Sequence, residues 1–256
     1  MTDEPYFGMN HGNEMHLAEY AQGTKHGVEV AIFRGKVLAA FIADNGPTNV
    51  PQFFETSSCM PSCLPPDKQR QLITATYQCL STVGHTDGVF NVEFKMTPSG
   101  PKLIEINGRI GGWFYRNWVR TVFETDLLFL NFLIACGIQP NVKPLEPSCQ
   151  LMGIVCTPKD HAKALSRPGM VTPEILAEAH GRGEIMYYEI EPTMEGKLDY
   201  ESGCCQIAIK GKSISEAKRR LLAVCRKYGV DNPESPVKHV LSTFVEPPAF
   251  MQKDYE

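Results

Sequence analysis

Two alternating runs, Val89–Met96 (VFNVEFKM) and Lys102–Asn107 (KLIEIN), are separated only by Thr97-Pro98-Ser99-Gly100-Pro101. Proline and glycine between two period-2 runs predict an antiparallel hairpin, and that hairpin constrains the chain more than any other segment. Alternation puts Asn91, Glu93 and Lys95 on one face of the first strand, and Leu103, Glu105 and Asn107 on one face of the second. A five-residue loop sets Met96 opposite Lys102, which brings Glu93 across from Glu105 and Asn91 across from Asn107. Directly opposed β-carbons stand about 5 Å apart, and two carboxylates so placed repel. A cation between them converts the repulsion into coordination. Two carboxylates and an amide oxygen are hard donors, which suits Mg²⁺ or Mn²⁺ bound to substrate phosphates. Arg109 follows two residues later with a planar fork that matches anionic oxygens, and Gly111-Gly112 permits close backbone approach. The competing reading is a solvated strand face on which Glu93 pairs with Lys95 or Lys102.

The rest of the chain reads as α+β. Val28, Val30 and Ile32 alternate with Glu29, Ala31 and Phe33, and Arg34-Gly35-Lys36 predicts a tight turn into Val37–Ala43. A proline-rich loop is expected from Asn45 to Pro66, then a helix over Asp67–Val83 closed by Gly84, and an apolar helical region over 113–136. The run Leu127–Cys136 is too short to span a bilayer and reads as a buried helix. Three prolines in 140–147 mark a boundary. Beyond it the pattern gives strands at 151–157, 185–190 and 204–210, and helices at 159–166 and from Pro173. A last helix opens with the capping box Ser213-x-x-Glu216 and stops at Gly229. Trp113, Phe114 and Trp118 either line a pocket or pack in the core.

With 25 Lys+Arg against 29 Asp+Glu and no long basic run, nucleic acid is not the expected partner, nor is a membrane. Nine cysteines, an odd number, and an opening segment without a basic and apolar leader favour reduced thiols in the cytoplasm. Cys59-x3-Cys63 is half of a zinc signature without its second half, so a zinc protein is a third reading, and Cys204-Cys205 reads as strand packing. P-loop, dinucleotide, nucleophile-elbow and H-E-x-x-H motifs are absent from the sequence.

The segment GVFNVEFKMTPSGPKLIEINGRIGG resembles the metal-binding hairpin of the ATP-grasp ligases, an acidic residue on one strand and E-x-N-x-R on the next. ADNGPT, FFETSSCMPSCLPP and VDNPESPVKHVLSTF resemble the carnosine-synthase branch of that family, and the resemblance runs from about Glu19 to Phe244. It implies an ATP-grasp C-terminal lobe, an antiparallel sheet with helices, over 19–140, and a smaller α+β domain over 147–246. Residues 1–18 are expected to lack clear structure. By the same resemblance, Glu93, Glu105 and Asn107 hold Mg²⁺ or Mn²⁺ on ATP, and Arg109 is catalytic, contacting the transferring phosphoryl group or the acyl phosphate. Glu19-Tyr20-Ala21 is similar to the hinge whose backbone grips adenine, and His26, which matches a histidine of the resembled family, is either a further nucleotide contact or an ordinary hydrogen-bonded side chain. Glu55 matches an acidic residue that recurs in related ligases. Two positions depart from the pattern: Gly108 stands where proline is usual, and Lys25 where an acidic residue is usual.

The implied reaction is ADP-forming ligation of β-alanine to L-histidine, with homo-oligomerisation left open. The family's other ATP lobe is expected upstream of Glu19, where eighteen residues stand. The alternative is therefore a non-catalytic ATP- and metal-binding module without that lobe.

Overall fold

The computed structural model describes residues 19–49, 54–112, 114–143, 146–157, 171–190, 205–233 and 236–245. The expected helix at 159–166, Cys204, Trp113 and residues 1–18 lie outside them.

The first hairpin joins β1 (Thr24–Phe33) to β2 (Lys36–Asn45) through Arg34 and Gly35, both at positive φ (49° and 70°). Such two-residue turns match the right-handed twist of the strands they connect. The stretch expected to be a loop instead holds β3 (Thr48–Asn49), β4 (Phe54–Glu55) and β5 (Ser57–Met60). β5 is buried throughout, so its sequence SSCM shows no alternation to read. Then come α1 (Pro66–Thr82), β6 (Gly88–Thr97) and β7 (Gly100–Asn107).

The apolar region expected as one helical stretch is two helices, α2 (Tyr115–Phe123) and α3 (Leu127–Ala135). Glu124 ends α2 in the left-handed region (φ 52°), and the Asp126 carboxylate caps α3 by accepting from the backbone N–H groups of Leu128 and Phe129. Nor is α3 buried all round: Leu127, Leu130 and Ile134 face the core, while Phe129 and Phe132 are 59% and 62% exposed.

The chain continues through β8 (Gln150–Cys156), α4 (Pro173–Gly181), β9 (Tyr187–Ile190), β10 (Cys205–Gly211), α5 (Ile214–Lys227) and α6 (Val237–Leu241). The α5 cap follows the expected signature with one change. Ser213 Oγ accepts from Glu216 N at 3.2 Å, but the Glu216 carboxylate reaches back to Lys212 N at 2.8 Å rather than to the cap residue.

Among the described residues eight strands form one antiparallel sheet in the order β7-β6-β1-β2-β5-β8-β10-β9. The segments 19–140 and 147–246 share this sheet, because β5 pairs with β8 from Ser57↔Ile154 to Met60↔Leu151. On one face α1 packs Leu72 and Leu80 against Val28, Val30, Val92 and Phe94. On the other, α2 and α3 pack Trp118, Val122 and Leu130 against Ala31, Phe41 and Leu151. A third cluster joins α4, α5 and α6 to β8 and β10, with Cys205 inside it. Among the described residues no helix is long and apolar enough to cross a membrane.

Candidate functional site

β6 and β7 pair through Asn91↔Asn107 and Glu93↔Glu105, as the alternation requires. The turn end differs from expectation. Met96 lies opposite Pro101, the turn is the two residues Pro98-Ser99, and Gly100 adopts φ 104°. A bulge between Glu93 and Phe94 takes up the extra residue, Ile104, and restores the register before the acidic pair. β1 pairs with β6 so that Lys25 faces Lys95, Gly27 faces Glu93 and Glu29 faces Asn91. One sheet face therefore carries Lys25, Glu29, Asn91, Glu93, Glu105 and Asn107.

These groups are wired together. Asn107 Nδ2 donates to Asn91 Oδ1 (3.0 Å) and to Glu105 Oε1 (2.9 Å). Asn91 Nδ2 donates to Glu29 Oε1 (2.7 Å), and Glu29 Oε2 accepts from Gly111 N (3.0 Å). Arg109 is exposed; its guanidinium donates to Ile110 O (3.1 Å) and to Asn107 Oδ1 (3.4 Å). Glu105 is exposed too, whereas Glu93 is half-buried and bound to Lys25 Nζ at 2.7 Å. The same ammonium lies 2.6 Å from Glu55 Oε1. Glu55 also accepts from Asn45, whose Oδ1 takes the Tyr115 hydroxyl at 2.8 Å.

Glu93 thus pairs with neither lysine of its own hairpin. Burial pushes its carboxyl up, against the pull of Lys25. Burial also works against the charge of Lys25, but Glu55 and Glu93 outweigh it and its pKa ends above 10.5. Burial raises the Tyr115 hydroxyl well above its ordinary value.

His26 alternates to the opposite face of β1. Its ring is buried, with Nδ1 2.8 Å from Asp44 Oδ1 and Nε2 2.6 Å from Thr24 Oγ1. It lines a cavity of about 270 Å³ with Thr24, Asp44, Cys63, Leu64 and Phe244. Glu19, Tyr20 and Ala21 precede β1 as irregular chain, with Lys95 Nζ 5.8 Å from the centre of the Tyr20 ring. Phe114 and Trp118 pack in the core with ring centroids 4.3 Å apart. Cys59 and Cys63 are buried with sulfurs 3.6 Å apart.

The chief omission of the sequence reading is Glu29, which is 1% exposed. A lone acid in an apolar alternating strand was its signal. Gly111 approaches this carboxylate: a β-carbon there would stand 2.1 Å from Glu29 Oε1.

Burial raises the Glu29 carboxyl from 4.5 to about 7, despite the N–H groups of Gly111 and Asn91. Its folded pKa exceeds its unfolded value, so the folded state holds more protons between the two. Stability is then fullest below 4.5 and falls as pH rises through about 7. A shift of this size corresponds to roughly 3 kcal/mol. Urea unfolding at about pH 5 and pH 8 is expected to show that loss in the native chain and not in Glu29→Gln; equal losses in both contradict the assignment.

No family model matches the chain. Its structure is similar to an L-amino acid ligase from Bacillus licheniformis, with TM-score 0.63, 14% identity, and coverage of 81% of this chain and 51% of that one. It is also similar to the biotin carboxylase domain of Hydrogenobacter thermophilus 2-oxoglutarate carboxylase, solved with MgADP, ADP and bicarbonate (TM-score 0.55, 15% identity, 82% and 46% covered). In sequence it is 42% identical over 246 residues to carnosine synthase 1 of Mus musculus, and 41% identical over 245 residues to that of Homo sapiens. The chain is similar in sequence to part of carnosine synthase 1, and its fold is similar to that of these ligase and carboxylase structures. Each match covers 95% of this chain but only 29% of the relative, so the chain spans under a third of their length.

Proposed function

We propose that the chain is the metal- and nucleotide-binding part of an ATP-dependent carboxylate–amine ligase of carnosine-synthase type. The observation that carries this reading is Glu93 set directly across from Glu105, beside the Asn91–Asn107 pair and Arg109. Among the described residues no three His, Cys, Asp or Glu side chains converge on one ion. Mg²⁺ does not ask for that, since it is commonly held by one or two carboxylates plus phosphate oxygens and water. Glu93, Glu105 and the Asn107 amide oxygen supply hard donors of the right kind, so the residues fit the group.

When bound, the metal neutralises phosphate charge during transfer. The protein's part is position. Asn91, fixed by Glu29, orients Asn107; Asn107 in turn contacts both Glu105 and Arg109. The exposed Arg109 fork is placed to meet the phosphoryl group on its way to a substrate carboxylate. Transfer of the γ-phosphoryl group to the carboxylate would release ADP; an amine would then attack the acyl carbon, its C–O bond to phosphate breaking to release inorganic phosphate, with the amine's proton passing to that phosphate or to water as the amide forms. Glu19-Tyr20-Ala21 would hold adenine by its backbone. His26, on the far face of β1, would act at the nucleotide only from the cavity side. By resemblance the carboxylate is β-alanine and the amine L-histidine.

The 29% span favours a second reading, a module that binds MgATP but turns over only alongside further protein. ADP release with both amino acids separates the two. The ligase reading expects sustained turnover above a Glu105→Gln control; binding without turnover supports the module.

A further inference from the structure

Lys25 is paired into the acidic face where the proposed metal would sit. Its ammonium lies 2.7 Å from Glu93 Oε2 and 2.6 Å from Glu55 Oε1, and its side chain is only 16% exposed. It therefore already occupies one of the two carboxylates that the hairpin sets against each other. We propose that Lys25 is a built-in competitor for the metal at Glu93, released toward Glu55 when metal and phosphate bind together. This rests on the metal reading of Glu93, Glu105 and Asn107 given above.

An ammonium and a divalent cation on one carboxylate repel. At about 4 Å in a partly buried setting that repulsion is strong, so both do not keep full hold of Glu93. Glu55 gives the displaced ammonium a second anchor on the same side, itself fixed by Asn45. Giving up one of two partners lowers the affinity for free metal. Phosphate oxygens on the metal return a partner to Lys25, so the loss disappears when nucleotide and metal arrive as one complex. Coupling of this kind is reciprocal: what makes free metal bind weakly makes the metal–nucleotide pair bind cooperatively. Lys95 is the natural comparison. It lies directly opposite Lys25 on the same face, but its ammonium donates to Gly23 O at 3.3 Å.

The test is titration of the whole chain with Mn²⁺ alone, and again with ADP present. Lys25→Gln is expected to tighten free Mn²⁺ binding about tenfold and to shrink the ADP–Mn²⁺ coupling by a similar factor. Lys95→Gln is expected to change free Mn²⁺ binding by less than about twofold, because its ammonium is held by Gly23 O rather than by a carboxylate of the site. Lys25→Arg keeps the charge and is expected to bind free Mn²⁺ as weakly as the native chain. The proposal is overturned if Lys25→Gln leaves Mn²⁺ affinity unchanged, if Lys95→Gln tightens it equally, or if Lys25→Arg tightens it. Glu105→Gln tells the two readings apart. Weakened Mn²⁺ binding in that variant keeps the metal site whatever Lys25 does, and unchanged binding removes both.

Discussion

Replacing Glu93 and Glu105 together by glutamine is expected to weaken Mg²⁺·ADP binding by about 100-fold or more, with the sheet left intact. Glutamine keeps the size and shape of each side chain but removes the charge that opposes the cation. The fold loses little, since the two carboxylates face one another across the strands. Lys25 retains Glu55 as an ion-pair partner when Glu93 is neutral. The two single variants are expected to be unequal. Glu105 is exposed and, among the described residues, hydrogen-bonded to Asn107 of its own strand, so its charge is available to a metal; that of Glu93 is already shared with Lys25. Glu105→Gln should therefore cost more than Glu93→Gln. Calorimetric titration checks both statements, and unchanged affinity in the double variant contradicts the site.

Gly111→Ala is the second large effect. Its β-carbon would fall 2.1 Å from Glu29 Oε1, 3.0 Å from Tyr115 Cδ2 and 3.1 Å from Asn91 Nδ2. A flexible side chain can step aside, but Glu29 is 1% exposed and held at both oxygens. Either the loop after Arg109 moves or a buried carboxylate loses its donors. The expected loss is about 2–4 kcal/mol in urea unfolding. Binding of Mg²⁺·ADP should fall about tenfold as well, because the Gly111–Glu29–Asn91 chain holds Asn107 in place. Gly112→Ala is the control: its nearest neighbour to an added β-carbon is Arg109 Nη1 at 4.0 Å, and it is expected to be near neutral. Equal effects at the two glycines contradict this account of Gly111.

Those two residues show what could be read from the chain and what could not. Period-2 alternation fixed the faces of Glu93, Glu105, Asn91 and Asn107, and their pairing followed even though the turn was misjudged. The bulge at Ile104 repaired the one-residue error of the loop. The α5 cap and the β1–β2 turn were legible because their signals are local. Long-range partners were not. Lys25 reaches Glu55 and Glu93, thirty and sixty-eight residues away, and no periodicity encodes that choice. Gly111 read as room for a ligand, but its space is filled by Glu29, eighty-two residues earlier. β5 was invisible because a strand buried on both faces has no alternation. For that reason the union of residues 19–140 and 147–246 in one sheet could not be foreseen.

On the proposed reading this face binds a nucleotide through a divalent cation. The most direct measurement is a calorimetric titration of the native chain with ADP, with and without Mg²⁺. Saturable binding is expected with Mg²⁺, weakening by about 100-fold when the metal is withheld, since Glu93 and Glu105 then face the phosphates without a cation between them. ADP affinity that is the same with and without Mg²⁺ would contradict it.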